Sequence, residues 1–196
     1  MKRNKISFCT VSMNRLIHFQ STLERNLKDN DDYPNFEIVL LDYNSSDGLE
    51  NWAISKLTEH ITSGKIVFYR TEQPKYFHRS HSRNICFRLA SGDILCNVDA
   101  DNYTGSGFAS YVDNIFEKYS DIYLASSLTS SNDVLGRVCV KKSHFFSVSG
   151  YDESMEGYGF EDIDLRNRLK KLVHRRINKC TFYFLFGTAL SIGLSA

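Results

Sequence analysis

The residues most able to do chemistry stand in one short run, Asp93-Ile94-Leu95-Cys96-Asn97-Val98-Asp99-Ala100-Asp101-Asn102. Ile94, Leu95, Cys96 and Val98 make a short apolar segment. Gly92 bounds it on one side and Asn102, Gly105 and Gly107 on the other, which predicts a buried strand. Asp99 and Asp101 then emerge at the carboxyl end of that strand, the edge at which open α/β sheets bind ligands. Two like charges placed there repel each other unless a cation sits between or beside them. Hard oxygen donors favour Mg²⁺ or Mn²⁺, which can bridge onward to phosphate oxygens. Aspartate is also an ordinary turn residue, so the pair alone does not separate a metal site from a polar loop.

A second acidic run, Glu161-Asp162-Ile163-Asp164, follows the Gly-rich stretch from Ser149 to Gly159. The segment Glu161 to Leu172 carries acids in its first turn and Arg and Lys in its last, which suits a helix dipole. Neighbouring side chains on a helix do not share a face, so Glu161 and Asp162 can do different jobs. They are equally at home as plain first-turn acids.

The elements that must position these groups alternate between strand and helix. Lys5 to Ser12 reads as a strand and Asn14 as the start of a helix, with Leu16, Phe19, Leu23 and Leu27 at helical spacing. Phe36 to Leu41 is a continuous apolar strand of the kind buried on both faces. A loop, Asp42 to Gly48, and a helix with Leu49, Trp52, Leu57 and Ile61 inward follow it. Ile66 to Tyr69 is a strand, Gln73 to His81 a polar aromatic loop and Ser82 to Ala90 a helix. Phe108, Tyr111, Val112, Ile115, Phe116 and Tyr119 mark an amphipathic helix whose stripe is core. Ile122 to Leu128 and Val138 to Val140 are strands, Thr129 to Asp133 a polar loop and His144 to Val148 a helical turn. This order predicts an α/β fold, a doubly wound, mostly parallel sheet flanked by helices.

Composition narrows the class further. The 196 residues suffice for one domain with a real core, and a net charge of +1 gives no broad electrostatic footprint for nucleic acid. Cys9, Cys86, Cys96, Cys139 and Cys180 are scattered with no Cys-x-x-Cys pair, which argues for a reducing compartment and against structural zinc. The basic start, Met1 to Lys5, precedes a run too short and polar for a signal peptide. A cytoplasmic location is expected.

Four separated segments together fit one pattern. Thr10 to Leu23, Leu41 to Asp47, Ser82 to Asp101 and Gly150 to Arg168 resemble family-two glycosyltransferases of the GT-A fold, a Rossmann-like arrangement. Gly150-Tyr151-Asp152-Glu153 and Gly157-Tyr158-Gly159-Phe160-Glu161-Asp162-Ile163-Asp164-Leu165 look like the segment found in galactosyltransferases. The resemblance spans roughly residues 5 to 172 and implies one domain over 1–196. About 1–105 would hold a nucleotide sugar and about 106–196 an acceptor. It implies sugar transfer, with inversion, from a UDP-sugar to a hydroxyl of a glycan or glycolipid, using Mn²⁺ or Mg²⁺. By the same resemblance Asp42 would contact the uracil or ribose, without the second acid the family often has, since Tyr43 stands there. Thr10 would border the base, Arg83 would belong to the donor site, Asp99 would touch ribose or metal, and Asp101 would coordinate the cation. Asp93 is structural, and Asp164 and Arg166 support the fold by capping and pairing.

The chemistry of such a transfer agrees with these residue types. A divalent cation neutralises charge on a departing diphosphate, and a carboxylate takes the proton of the acceptor hydroxyl. Asp162 is the expected general base and Glu161 the acceptor-orienting acid. The family commonly has a His ligand beyond the Glu-Asp pair, and His174 comes too early to match it. The apolar stretch Cys180 to Ala196 reads as a strand with an abbreviated end, a peripheral membrane contact or an aberrant terminus. It is short for a spanning helix, which needs about 20 residues. Two other classes stand against this reading. A phosphatase of the haloacid dehalogenase type would want Thr or Val where Tyr103 stands. A non-catalytic nucleotide-sugar or carbohydrate-binding module would lack turnover. Release of UDP with and without acceptor separates all three.

Overall fold

Strand β2 (Phe36–Tyr43) is buried along its whole length, and its side chains divide between two cores. Phe36, Ile38 and Leu40 point to one face of the sheet, and Val39, Leu41 and Tyr43 to the other. The period of two along a strand produces this split, and a continuous apolar run is what a strand covered on both faces requires. The computed structural model describes residues 3–126, 136–155, 159–173 and 175–177.

The strands are β1 (Ile6–Ser12), β2, β3 (Ile66–Thr71), β4 (Ile94–Asn97), β5 (Ile122–Ala125), β6 (Val138–Lys141) and β7 (Arg175–Ile177). The helices are α1 (Leu16–Lys28), α2 (Leu49–Lys56), α3 (Thr58–Thr62), α4 (Arg79–Leu89), α5 (Phe108–Lys118), α6 (Lys142–Ser147) and α7 (Glu161–Leu172). They build one sheet in the order β3-β2-β1-β4-β6-β5-β7. β6 runs antiparallel to both of its neighbours, and the remaining pairs are parallel. One core contains Phe19, Leu23 and Leu27 of α1 and Phe108, Val112 and Phe116 of α5. The opposite core contains Cys86 and Phe87 of α4, Phe145 of α6 and Leu165 and Leu169 of α7. The expected doubly wound sheet is therefore present, and the bounds expected for α7 are those observed.

Several boundaries differ from the sequence expectation: β2 runs on through Asp42 to Tyr43, β3 to Thr71, and α6 begins at Lys142 and ends at Ser147. Asn14 does not start α1: it takes a left-handed backbone, φ +58, and the helix begins at Leu16. Helix α4 starts at Arg79, so His81 lies in the helix and not in the preceding loop. The His78 side chain caps α4 by accepting the His81 N–H at 3.2 Å. The helix after β2 breaks at Leu57, dividing α2 from α3. Cys9, Cys86, Cys96 and Cys139 are free and buried. Among the described residues no helix is long and apolar enough to cross a membrane. The 129–133 loop, His174 and the 180–196 tail lie outside the described residues.

Candidate functional site

The strand order reverses at β1, which has β2 on one side and β4 on the other. The carboxyl edge at such a reversal is where open α/β sheets bind ligands. The loops on its β1/β2 side are tied together. The Asn14 side-chain oxygen accepts the Ser46 N–H at 2.7 Å, and the Asn14 N–H donates to Ser45 Oγ at 2.9 Å. Asp47 accepts the Leu16 N–H at 2.8 Å and so caps α1 from another loop.

The loop after β4 is held from below by polar residues of α1. Thr22 Oγ1 donates to the Ala100 carbonyl at 2.7 Å, and Asn26 Nδ2 to the Asn102 carbonyl at 2.9 Å. Asn26 also accepts the Thr104 N–H at 2.8 Å. Both side chains are buried, where an unpaired amide or hydroxyl would be costly, so this ladder sets the height of Asp99 and Asp101. Asp99 accepts from Asn97 Nδ2 at 3.1 Å and keeps 36% of its side chain exposed. Asp101 is exposed at the rim and accepts from Asn102 Nδ2 at 3.1 Å. Among the described residues no group of three or more His, Cys, Asp or Glu could hold a metal ion.

Arg83 gathers the acids of the carboxyl edge. Its guanidinium, 8% exposed, donates from Nη1 to Asp162 Oδ1 at 2.8 Å and to Glu161 Oε1 at 3.2 Å. Nη2 reaches Asp99 Oδ1 at 3.5 Å. The Tyr151 ring packs against it, 5.5 Å from centroid to guanidinium carbon. Gly136 supplies the room, because a Cβ there would approach Arg83 Nη2 to 2.9 Å. Three carboxylates do not assemble in a poorly solvated site without a cation among them. Burial by itself lowers the Arg83 pKa, but the charge of Asp162, with Tyr151, Asp99 and Glu161, outweighs it and holds the group above its ordinary value. Burial pushes the Asp162 carboxyl above its ordinary range; Arg83 opposes the shift, and Glu161 and Asp99 add to it. Asp162 is thus a stronger proton acceptor than a free aspartate, as general-base work on a hydroxyl requires.

The remaining candidates stand apart from this cluster. Asp42 is fully buried: Oδ1 accepts the Ser45 N–H at 2.9 Å and Oδ2 accepts from Arg70 Nη1 at 2.7 Å. Its partner Arg70 sits opposite it in the β2/β3 register. Tyr43 pairs its hydroxyl with His81 Nδ1 at 2.6 Å and binds the end of β2 to α4, and burial raises its phenol pKa to about 12. Thr10 is buried and lines a cavity of about 10 Å³ together with Asp99 and Phe19. Asp93 accepts the Lys5 N–H at 2.8 Å, a structural role as expected. Asp164 pairs with Arg168 at 2.5 Å, while Arg166 is buried and donates to Ser126 Oγ at 2.8 Å.

The profile of the glycosyl transferase family 2 matches residues 7–183. The chain belongs to this family. No curated protein sequence matches this chain significantly. Its fold is similar to that of TarS 1–349 from S. aureus, with a TM-score of 0.71 at 14% identity over 88% of this chain and 57% of that one. A mannosyltransferase from Pyrobaculum calidifontis, in complex with GDP-Man and Mn²⁺, gives 0.71 at 16% identity over 91% and 55%. GalNAc-T7 with UDP, GalNAc and Mn²⁺ gives 0.69 at 13% over 86% and 41%. These likenesses carry the GT-A fold. The chain spans about half the length of the solved structures it matches.

Asn84 joins two motif segments of the chain, a role that the sequence did not assign. Its side chain accepts the Tyr151 N–H at 2.8 Å and donates to the Tyr151 carbonyl at 2.9 Å and to Glu153 Oε1 at 2.7 Å. It thus pairs with Tyr151 as a strand backbone would, next to the residue that binds Asp162. Gly150, at φ +69, makes the approach possible, because a Cβ would meet Asn84 Oδ1 at 2.6 Å and the Phe145 ring at 3.0 Å. Gly150→Ala is expected to lower the unfolding free energy by about 2–4 kcal/mol, from the left-handed backbone and the overpacking together. Urea denaturation checks this, and an unchanged midpoint would contradict it. The local signal for Asn84 is its place directly after Arg83. Gly136 and Arg70 carry no local signal, since each is needed only because of a distant side chain.

Proposed function

We propose that this glycosyltransferase transfers a sugar from a UDP-sugar to a hydroxyl of a glycan or glycolipid, with inversion and with a divalent cation. The observation that carries this is the meeting of Asp99, Glu161 and Asp162 on the Arg83 guanidinium at the sheet's carboxyl edge. It sets a candidate metal ligand and a candidate base on either side of one buried cation.

Asp99 and Asp101 fit a small hard cation. Mg²⁺-type sites use one or two carboxylates completed by substrate phosphates and do not need an all-protein cage. The Mn²⁺ bound in the mannosyltransferase and in GalNAc-T7 supports such use. When bound, the cation would neutralise charge on the departing diphosphate. Asp162 accepts the proton of the acceptor hydroxyl, and Glu161 orients that acceptor. Arg83 keeps Asp162 in place and balances its charge. Thr10 and Asp42 lie on the β1 and β2 side, where the base of the donor would sit. About 1–105 would serve the donor and about 106–196 the acceptor. The likeness of Gly150 to Arg168 to the galactosyltransferase segment supports that division. The TarS complexes with UDP and with UDP-GlcNAc and the GalNAc-T7 complex with UDP support a UDP donor, while the mannosyltransferase holds GDP-Man.

Titration calorimetry with UDP, first in EDTA and then in Mn²⁺, tests the proposal. Binding is expected only with the metal, and Asp101→Asn should weaken it by about tenfold or more, the loss of one charged ligand contact. Equal affinity in the two buffers would remove the metal from the mechanism. Release of UDP from UDP-sugars, compared with and without acceptor, separates a transferase from a binding module.

A further inference from the structure

Phe160 has a conformation and an exposure that the fold does not require. It immediately precedes Glu161 and Asp162, and its backbone is left-handed at φ +71. Among the described large apolar residues it is the most exposed, at 73%. Its carbonyl accepts the Asp164 N–H at 2.8 Å and so makes the first hydrogen bond of α7. That backbone task suits glycine, which adopts positive φ freely, whereas a bulky side chain there is an outlier. Gly159 is itself left-handed at φ +92, so the chain already turns with glycine one residue earlier. The ring adds nothing to the core either, since α7 packs through Leu165 and Leu169. A costly conformation that presents an apolar ring to solvent beside the catalytic acids points to a ligand.

We infer that Phe160 is a stacking platform for the acceptor sugar. This rests on the glycosyl-transfer reading, in which Asp162 takes a proton from an acceptor hydroxyl. A pyranose has hydroxyls around its rim and C–H groups across one face. An aromatic ring can therefore hold that face without hydrogen bonds while the rim hydroxyl turns to the base. The large flat surface of an aromatic side chain gives such contact at little entropic cost. The alternative occupant of an exposed aromatic, a protein surface, is an outcome of the test.

Saturation-transfer NMR on the full chain with UDP and Mn²⁺ provides the test, with the methyl β-glycosides of glucose, galactose and N-acetylglucosamine as probes. Transfer is expected to at least one of them and to concentrate on the C–H protons of one ring face. Phe160→Gly should abolish it and Phe160→Trp should preserve it. An affinity change of about tenfold is the scale for losing one aromatic contact. The melting temperature of Phe160→Gly should be equal to or above that of the parent, because the left-handed backbone is relaxed, so a lost signal cannot be blamed on misfolding. No transfer to any probe from the parent protein, or equal transfer from Phe160→Gly, overturns the inference and leaves a protein contact as the use of the ring. UDP affinity, measured on the same samples, should be the same for all three proteins. Absence of UDP binding would count against the glycosyl-transfer reading, independently of the sugar signals.

Discussion

Asp162→Asn is expected to lower the turnover number by about 10²–10⁴-fold, the usual worth of a positioned general base. The amide keeps the shape of the side chain and can still accept from Arg83, but it cannot take a proton from the acceptor. UDP affinity should change little, because Asp99 and Asp101, and not Asp162, are the proposed metal ligands. Burial has already pushed the Asp162 carboxyl above its ordinary range, which favours proton uptake in the transition state. The base stands across the sugar from the leaving diphosphate in this scheme, so attack comes from the opposite face and the product is inverted. The anomeric coupling constant of the product, read by NMR, checks the stereochemistry, and steady-state kinetics check the turnover. Near-normal turnover in the variant, or a retained configuration, would assign the proton to another residue and the reaction to another mechanism.

Arg83→Lys is expected to cost about 10²-fold in turnover, on the scale of a misplacement of about 1 Å in a catalytic group. Lysine keeps the charge but offers a point where arginine offers a planar fork, so it cannot serve Asp162, Glu161 and Asp99 at 2.8, 3.2 and 3.5 Å together. Arg83→Met should go further and destabilise the protein by about 3–5 kcal/mol, because it leaves buried carboxylates without their cation. A double-mutant cycle separates the two effects. In an Asp162→Asn background the stability loss from Arg83→Met should shrink, since one of the facing charges is already gone. Additive losses, or unchanged turnover in Arg83→Lys, would show that Arg83 does not act through Asp162.

The sequence alone located β1 to β6, because their physics is local, while β7 was not expected. A run such as Phe36 to Leu41 has a continuous apolar pattern that only burial on both faces satisfies, and β2 is buried throughout. The charge order of Glu161 to Leu172 likewise marks both ends of α7, since the dipole acts on the residues of the helix itself. The position of Asp99 and Asp101 beyond a central strand followed from the same apolar pattern. Helix α1 shows where local rules stop. Asn14 has the side chain of a cap, yet the cap of α1 comes from Asp47, 31 residues beyond Leu16, and Asn14 instead bridges to Ser46.

Tertiary structure alone decided how the acids are neutralised. Arg83 and Glu161 are 78 residues apart in sequence, and no periodicity links them. They meet because α4 and α7 pack on the same face of the sheet, with Gly136 leaving room for the guanidinium. Asp42 gives the same lesson on the other side of the carboxyl edge. Its burial is tolerable only because the β2/β3 register sets Arg70 opposite it, and register is a property of the pairing of strands, not of either strand by itself.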